Sequence, residues 1–413
     1  MPYDIAVIGA GASGLMAGGA AAHAGARVTL FERNGRLGKK IVITGKGRCN
    51  LTNDCGVDEF LQNIPTNPRF LYSALSRFTP RDTIAFFEEL GAPLKTERGG
   101  RVFPASDSSF DIVDALRRYI ERGGARVEYA GVSSLDVRDG AVRGLTDDRG
   151  QRRPFDRVIV CTGGLSYPST GATGDGYAFA AAAGHNLVPT RPSLVPVEVN
   201  EEWCAGLAGL ALKNVEASLK SEGKTLFHER GELLFTHFGL SGPLILSMSA
   251  QMRPESASGS KINIDLKPAL DSETLDRRML ADLTKYANRG LSNALCDLLP
   301  QRLIPVVINL SGADPSQKAN SVTREQRQHL GSILKSLPLT VKSLRAIEEA
   351  VVTGGGVDVR QVDPRTMESR IVSGLYFAGE VLDVDGLTGG FNLQIAFSTG
   401  RAAGLAAGAA ANG

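Results

Sequence analysis

The sequence predicts an α/β fold: a Rossmann-like nucleotide-binding domain assembled from both ends of the chain, interrupted by an inserted β-barrel-like subdomain and a small helical subdomain. Three observations predict it. The chain opens with a strand, a glycine-rich turn and a helix; it closes with a strand, a second glycine-rich turn and a helix; and the residues between them change from alternating to helical periodicity.

The opening unit is the most explicit. Tyr3 to Ile8 is a β-branched, apolar run that reads as a buried strand, and GAGASG, Gly9 to Gly14, follows it directly. An alanine-rich helix then runs to about Ala24, Gly25 ends it, and RVTLFE supplies a second strand finishing at Glu32. In this GxGxxG pattern Gly9 permits the tight turn, Gly11 lets the backbone approach a pyrophosphate and Gly14 lets helix and strand pack closely. The helix N-terminus then faces the anion. Glu32 is placed to accept hydrogen bonds from the adenosine ribose, and its charge opposes a 2′-phosphate. FAD or NAD is therefore expected rather than NADP.

Bulk properties bound the rest. The 413 residues carry 42% hydrophobic content, enough for two or three domains, and a net charge of +2 announces no nucleic-acid or membrane partner. The longest apolar runs, such as Met16 to Ala26, fall short of a membrane span, and the chain enters a strand without a leader-like segment. A cytoplasmic protein is expected. Cys49, Cys55, Cys161, Cys204 and Cys296 contain no CxxC pair and read as free thiols. The five histidines show no metal-binding spacing, so no metal is expected.

Between the two halves, SLVPVEVN, ALKNVEASLK, KTLFHERGELLFTH and KINIDL alternate as strands of a small sheet or barrel do. From Ser272, SETLDRRMLADLTKYA, LSNALCDLLPQRLIPVVI and TREQRQHLGSILKSL show helical spacing broken by prolines. The expected division is a nucleotide domain from 1–190 and 350–413, a β-rich subdomain from 191–270, and a mainly helical insert from 271–349 that returns to the β-rich part. GATGDG, Gly171 to Gly176, does not directly follow a strand, so no second dinucleotide domain is expected.

Two further segments separate FAD from NAD. FDRVIVCTGG, Phe155 to Gly164, is a buried strand preceded by a β-meander with a turn at Asp139-Gly140. Gly374 to Gly404 reads as strand, acid-rich turn, glycine doublet and helix, and that helix N-terminus is a second anion or dipole site. These features resemble the two-dinucleotide-binding-domain flavoproteins of glutathione-reductase type. GKKIVITGKGRCNLTN, FTHFGLSGP, TGGGV, TMES and GEVLDVDGLTGGFNLQIAFSTG are, more closely, similar to the YhiN/BaiN-like, aminoacetone oxidase-like flavoprotein family.

The resemblance implies that Gly9, Gly11, Gly14 and Glu32 hold the ADP half of FAD, with Ala12, Ser13, Arg33, Lys40, Gly45, Gly47, Thr162 and Gly163 completing the cofactor set. It places Gly379, Glu380 and Asp383 near the ribityl and pyrophosphate, and Gly389, Gly390, Phe391 and Asn392 facing the isoalloxazine. The wider superfamily has Gly-Asp where this chain has Gly379-Glu380, so either Glu380 or Asp383 takes the ribityl contact. The activity implied is an FAD-dependent oxidoreductase, an NAD(P)H-linked reductase of a conjugated C=C bond in a steroid-like enone or in a uracil ring of ribosomal RNA. Alternatives are an oxygen-using oxidase of small amino ketones and a non-catalytic flavin- or RNA-binding protein. NADPH or NADH would dock transiently. Arg277, Arg278, Lys285, Arg289, Arg302, Arg324 and Arg327 suit either RNA phosphates or a solvated surface.

Candidate catalytic residues are Cys49, Arg48, Asn50 and His237. Cys49 has two readings: a thiol beside the flavin that donates a proton, tuned by Arg48 and Lys46, or a small buried hydrophobe. Arg48 and Asn50 offer hydrogen bonds to cofactor or substrate. His237 is either an acid–base group or a turn residue.

Overall fold

The computed structural model describes residues 2–409 and contains two compact units; residues 1 and 410–413, the outermost of the expected nucleotide domain, lie outside the description. The first unit comprises residues up to Ser193 and from Ile347 onward, and the second is Leu194–Ala346.

In the first unit, β1 (Asp4–Ile8), α1 (Ala12–His23) and β2 (Arg27–Phe31) form the expected βαβ crossover. The parallel sheet extends from β1 through strand Arg157–Val160 to Leu375–Phe377 on one side, and through β2 to Arg126–Glu128 on the other. Both faces are covered, so the strands read as continuous apolar runs: Ile5, Ala6 and Val7, like Val158, Ile159 and Val160, have no accessible surface. A three-stranded meander, Val132–Arg138, Ala141–Asp147 and Arg152–Pro154, precedes the second central strand. Its first turn holds Asp139 and Gly140 at φ 51° and 69°, the left-handed pair a two-residue hairpin requires.

The C-terminal helix, Phe391–Gly408, lies against α1 because of three glycines four residues apart. A Cβ on Gly400 would fall 2.4 Å from the Ser13 carbonyl oxygen, on Gly404 2.2 Å from that of Ala17, and on Gly408 2.8 Å from that of Ala21. Both chains advance together along this contact, so the two helices run parallel.

The second unit is a closed antiparallel barrel in the order Val197–Val199, Gly239–Ser241, Lys224–Phe235, Ala211–Ser221, Lys261–Asp265 and Leu337–Leu344. Helices Ser272–Lys285 and Arg324–Lys335 begin at caps: Asp271 accepts the Thr274 N–H at 2.7 Å, and Thr323 forms a reciprocal box with Gln326. Leu275, Met279 and Leu283 of the first helix and Leu330 and Leu334 of the second join Val215, Leu339 and Val341 of the barrel in one core. The helices therefore share the barrel's core instead of building their own.

Candidate functional site: a nucleotide cradle in the first unit

Where β1 ends, Gly9 turns through φ 96°, and a Cβ there would lie 2.6 Å from the Cys161 carbonyl oxygen. On Gly14 it would lie 1.8 Å from the Gly9 carbonyl oxygen. Gly11 differs: no heavy atom lies within 4 Å of its would-be Cβ. Helix α1 has Gly11 as N-cap, no side-chain cap and no acid in its first turn, so its N-terminal N–H groups remain available to an anion. Glu32 is buried just past β2; one oxygen accepts the Ala10 N–H at 2.9 Å, the other the main-chain and side-chain N–H groups of Asn34 at 2.8 and 2.7 Å. It thus braces the glycine turn.

The C-terminal helix begins in the same way. Gly390 is its N-cap at φ 101°, with neither a side-chain cap nor an acid in the first turn. A Cβ on Gly390 would meet the Thr52 carbonyl oxygen at 2.3 Å, and Asn53 Nδ2 donates to the Gly389 carbonyl at 3.1 Å. Because Gly400 abuts Ser13, the start of this helix at Phe391 lies nine residues ahead of that level, about 13 Å at 1.5 Å rise per residue. Two uncapped, parallel helix N-termini at this stagger fit a dinucleotide whose pyrophosphate and ring are separated by a ribityl chain. Phe391 is buried edge-on against Phe60, and Asn392 bonds the Gly386 N–H and carbonyl at 2.9 and 2.7 Å. What this turn offers a ring is main-chain N–H, not these two side chains.

Between the helix starts, Glu380 is a hub. Its carboxylate accepts Lys40 Nζ at 2.6 Å, Ser166 Oγ at 2.8 Å and the Thr353 N–H at 2.9 Å. Burial alone would push this carboxyl up, but Lys40 and the two hydrogen bonds hold it below its ordinary value. Lys40 also reaches Ser166 Oγ at 2.7 Å. Asp383 sits beyond, its carboxylate accepting Asn67 Nδ2 at 2.9 Å; burial, with Asp385 nearby, raises its pKa. Gly379 is tight against Ser13, whose Oγ would lie 2.5 Å from an added Cβ.

The loop after Lys40 is wound in left-handed conformations: Gly45, Lys46, Gly47 and Cys49 have φ of 56°, 59°, 85° and 59°. Non-glycine residues in this region store about 1 kcal/mol each, and such strain concentrates at functional sites. The loop does not present the cysteine. Cys49 has no accessible surface, and burial pushes its thiol up to about 12 despite a hydrogen bond with Thr44. Nor do Arg48 and Lys46 tune it. The Arg48 guanidinium is taken by Glu97 and by Asp107 at 2.7 Å, and stacks over the Phe103 ring at 4.2 Å. The reading in which Arg48 and Lys46 tune the thiol is not supported for Arg48, because Glu97 and Asp107 claim its guanidinium. Asn50 retains an open role, because its buried Oδ1 has no hydrogen-bond partner among the described residues.

Of the remaining expected residues, Arg33 is held by Thr173 at 2.5 Å and by Asp175. Thr162 has a buried, unpartnered Oγ1, and Gly163 at φ 75° faces open space. Ala12 and Ser13 form the first turn of α1. His237 belongs to the second unit, exposed on the Thr236–Gly239 turn with its ring edge-on to Phe238 at 4.9 Å. The five cysteines are free, and no metal-ligand cluster occurs among the described residues.

Sequence reasoning missed Arg191, Asp385 and Thr353. Arg191 pairs with the fully buried Asp385 at 3.4 Å, and Asp385 accepts Ser193 Oγ at 2.6 Å. Thr353 Oγ1 accepts the N–H groups of Leu165 and Ser166 at 2.8 and 3.0 Å. The local signals were the quoted motifs TGGGV and GEVLDVDG, which hold Thr353 and Asp385; a Cβ on Gly354 would fall 1.9 Å from Arg191 Nη1.

The geometry agrees with what comparison shows. The description "HI0933-like protein Rossmann domain" matches residues 3–406. The 3-dehydro-bile acid delta(4,6)-reductase of Clostridium scindens is 34% identical over 407 residues, 98% of each chain. The ribosomal RNA dihydrouridine synthase of Escherichia coli K12 is 35% identical over 400 residues, 96% of each chain. Among solved structures, a flavocytochrome c3 fumarate reductase aligns with TM-score 0.52 at 19% identity, over 98% of this chain and 78% of that one. A 3-ketosteroid-delta4-(5alpha)-dehydrogenase from Rhodococcus jostii RHA1 aligns with TM-score 0.53 at 16% identity, over 98% and 96%. These two likenesses show a shared fold. With a family match from residue 3 to residue 406 and relatives above 30% identity along the whole length, the chain belongs to the HI0933-like (YhiN/BaiN) family of flavoprotein oxidoreductases.

Proposed function

We propose that this protein is an FAD-dependent reductase of a C=C bond conjugated to a carbonyl, supplied with electrons by NADPH or NADH in the cytoplasm. The observation that carries the reading is the pair of staggered, uncapped helix N-termini in a chain two of whose full-length relatives are named for adding hydrogen to such a bond. An enone of a bile acid and the C5=C6 bond of uracil share this chemistry: hydride adds at the carbon β to the carbonyl and a proton at the α carbon.

Bound FAD would accept reducing equivalents from the nicotinamide and deliver hydride. The chain's own residues bind and orient it. Main-chain N–H groups of Ala12, Ser13 and Gly14 would hold the pyrophosphate; Glu32 would accept from the ribose; Gly379, with either Glu380 or Asp383, would line the ribityl chain. The helix N-terminus at Gly390 would offer main-chain N–H groups to negative charge on the ring. The single GxGxxG turn supports a nicotinamide that docks transiently. Cys49 has no surface on which to meet substrate, which favours packing for the thiol. Cys49→Ser is expected to keep both flavin and turnover while losing about 1 kcal/mol of stability from a buried hydroxyl. Steady-state assays and thermal melts check this, and lost turnover in a normally folded variant would return Cys49 to the chemistry.

The functional test is anaerobic. Holo-protein reduced with one equivalent of NADPH or NADH is mixed with a steroid enone, with in vitro transcribed ribosomal RNA, or with air-saturated buffer. Reoxidation by one C=C acceptor, with a saturated product and at a rate above that with oxygen, is expected. Rapid reoxidation by oxygen alone, with peroxide released, would make the protein an oxidase.

A further inference from the structure

A cleft of about 530 Å³ opens in the first unit at the start of helix Pro68–Arg77, within the roughly 300–1,000 Å³ typical of small-molecule sites. Its lining is of two kinds. Phe70 on the helix and Val359, Val362 and Pro364 from a distant part of the chain supply apolar surface. Arg69, Arg360 and Arg370 supply charge, and no acid lines the cleft among the described residues. The cleft adjoins the cradle, because Asn67 on its rim donates to the main-chain carbonyl and to the carboxylate of Asp383, at 2.8 and 2.9 Å.

The three arginines differ in how fully they are engaged. Asp358 holds Arg360 through Nε and Nη2 at 3.0 and 2.6 Å. Asp363 lies 3.6 Å from Arg370, too far for a hydrogen bond. Arg69 has no ion pair among the described residues. Arg69 and Arg370 are both exposed, so their guanidinium groups are free to turn toward a ligand in the cleft. The cradle has the opposite sign at its ribose position, where the buried Glu32 carboxylate would repel a 2′-phosphate.

We propose that this cleft docks the adenosine half of the electron donor and that Arg69 and Arg370 bind its 2′-phosphate, which makes the donor NADPH rather than NADH. The inference rests on the reductase reading above, which requires a nicotinamide donor. That donor has to bring its nicotinamide to the flavin, so its pyrophosphate points toward the cradle and its adenosine away from it. What distinguishes NADPH from NADH at the far end is a phosphomonoester carrying about two negative charges at pH 7. The planar fork of an arginine matches two phosphate oxygens at once, and two arginines without a close carboxylate suit one such group. Adenine has apolar faces. Phe70 offers it a ring to stack on, and Val359, Val362 and Pro364 offer it aliphatic surface.

The test uses holo-protein, in which FAD already fills the cradle, and the double variant Arg69→Ala/Arg370→Ala. Calorimetry measures binding of 2′,5′-ADP, 5′-ADP and inorganic phosphate, and anaerobic stopped-flow measures flavin reduction against NADPH and NADH concentration. The wild type is expected to bind 2′,5′-ADP about 100-fold more tightly than 5′-ADP, at about tenfold for each charge-assisted contact, and to favour NADPH over NADH to a similar degree. In the alanine variant both preferences collapse, the loss falling on KM for NADPH rather than on the limiting rate. The Arg69→Lys/Arg370→Lys variant keeps most of both. Equal binding of the two nucleotides by the wild type would overturn the proposal, as would an alanine variant with the wild-type preference. Binding of 2′,5′-ADP no tighter than that of inorganic phosphate would overturn it too, leaving an anion site only. The reductase reading is tested separately, by offering C=C acceptors to dithionite-reduced holo-protein with no nicotinamide present. Reoxidation there without any preference for 2′,5′-ADP would sink the docking site and leave the reductase standing. A preference for 2′,5′-ADP without reoxidation would keep the docking site and sink the reductase.

Discussion

Lys40→Met is expected to destabilise the protein by about 2–3 kcal/mol at pH 7 and to loosen its flavin, because it strands Glu380. The two side chains are 24% and 19% exposed, so the cost falls below the roughly 3–5 kcal/mol of breaking a fully buried pair. In the wild type, the folded-state pKa of Glu380 is depressed. The pair's stabilisation is therefore present above the carboxyl's unfolded value and is lost as pH falls through the folded one. Without Lys40, burial raises the folded pKa instead, so the carboxylate is destabilising when ionised. The variant's deficit should be largest near pH 7 and shrink as pH falls toward the ordinary carboxyl range. Adding Glu380→Gln should recover most of the loss at pH 7, since a neutral amide keeps the contacts without the stranded charge. Urea unfolding followed by far-ultraviolet dichroism at pH 7 and pH 5 measures this; equal deficits at both would contradict the account of the hub.

What was legible in the sequence was local. The GAGASG turn carries its own explanation, since Gly9 and Gly14 answer to atoms within the same βαβ unit or just past the strand beside it, while Gly11 leaves open space. Asp139-Gly140 marked a hairpin, and alternation marked four barrel strands, because turn chemistry and side-chain period act over a few residues. The hub was not legible: Lys40 and Glu380 are 340 residues apart, and nothing near either one names the other. Arg48 was misjudged for the same reason, its acids lying 49 and 59 residues away. Cys49 turned on enclosure, a tertiary property, so its setting in a glycine-rich loop suggested an accessibility it lacks.

Gly11→Ala bears most directly on the claim that the two helix N-termini hold a dinucleotide. Gly9 and Gly14 are required by the fold itself, so replacing them confounds folding with binding. Gly11 sits at φ −84°, a conformation any residue adopts, with open space where a Cβ would go. The apoprotein should therefore keep its dichroism spectrum and thermal transition, and the methyl group should obstruct only what approaches the first turn of α1. Losing two charge-assisted hydrogen bonds at about 1.5 kcal/mol each weakens binding on the order of 100-fold. The measurement is a titration of apoprotein with FAD, wild type against Gly11→Ala. A folded variant with FAD affinity reduced by about two orders of magnitude is the result this account predicts; a folded variant that binds FAD as tightly as the wild type would contradict it.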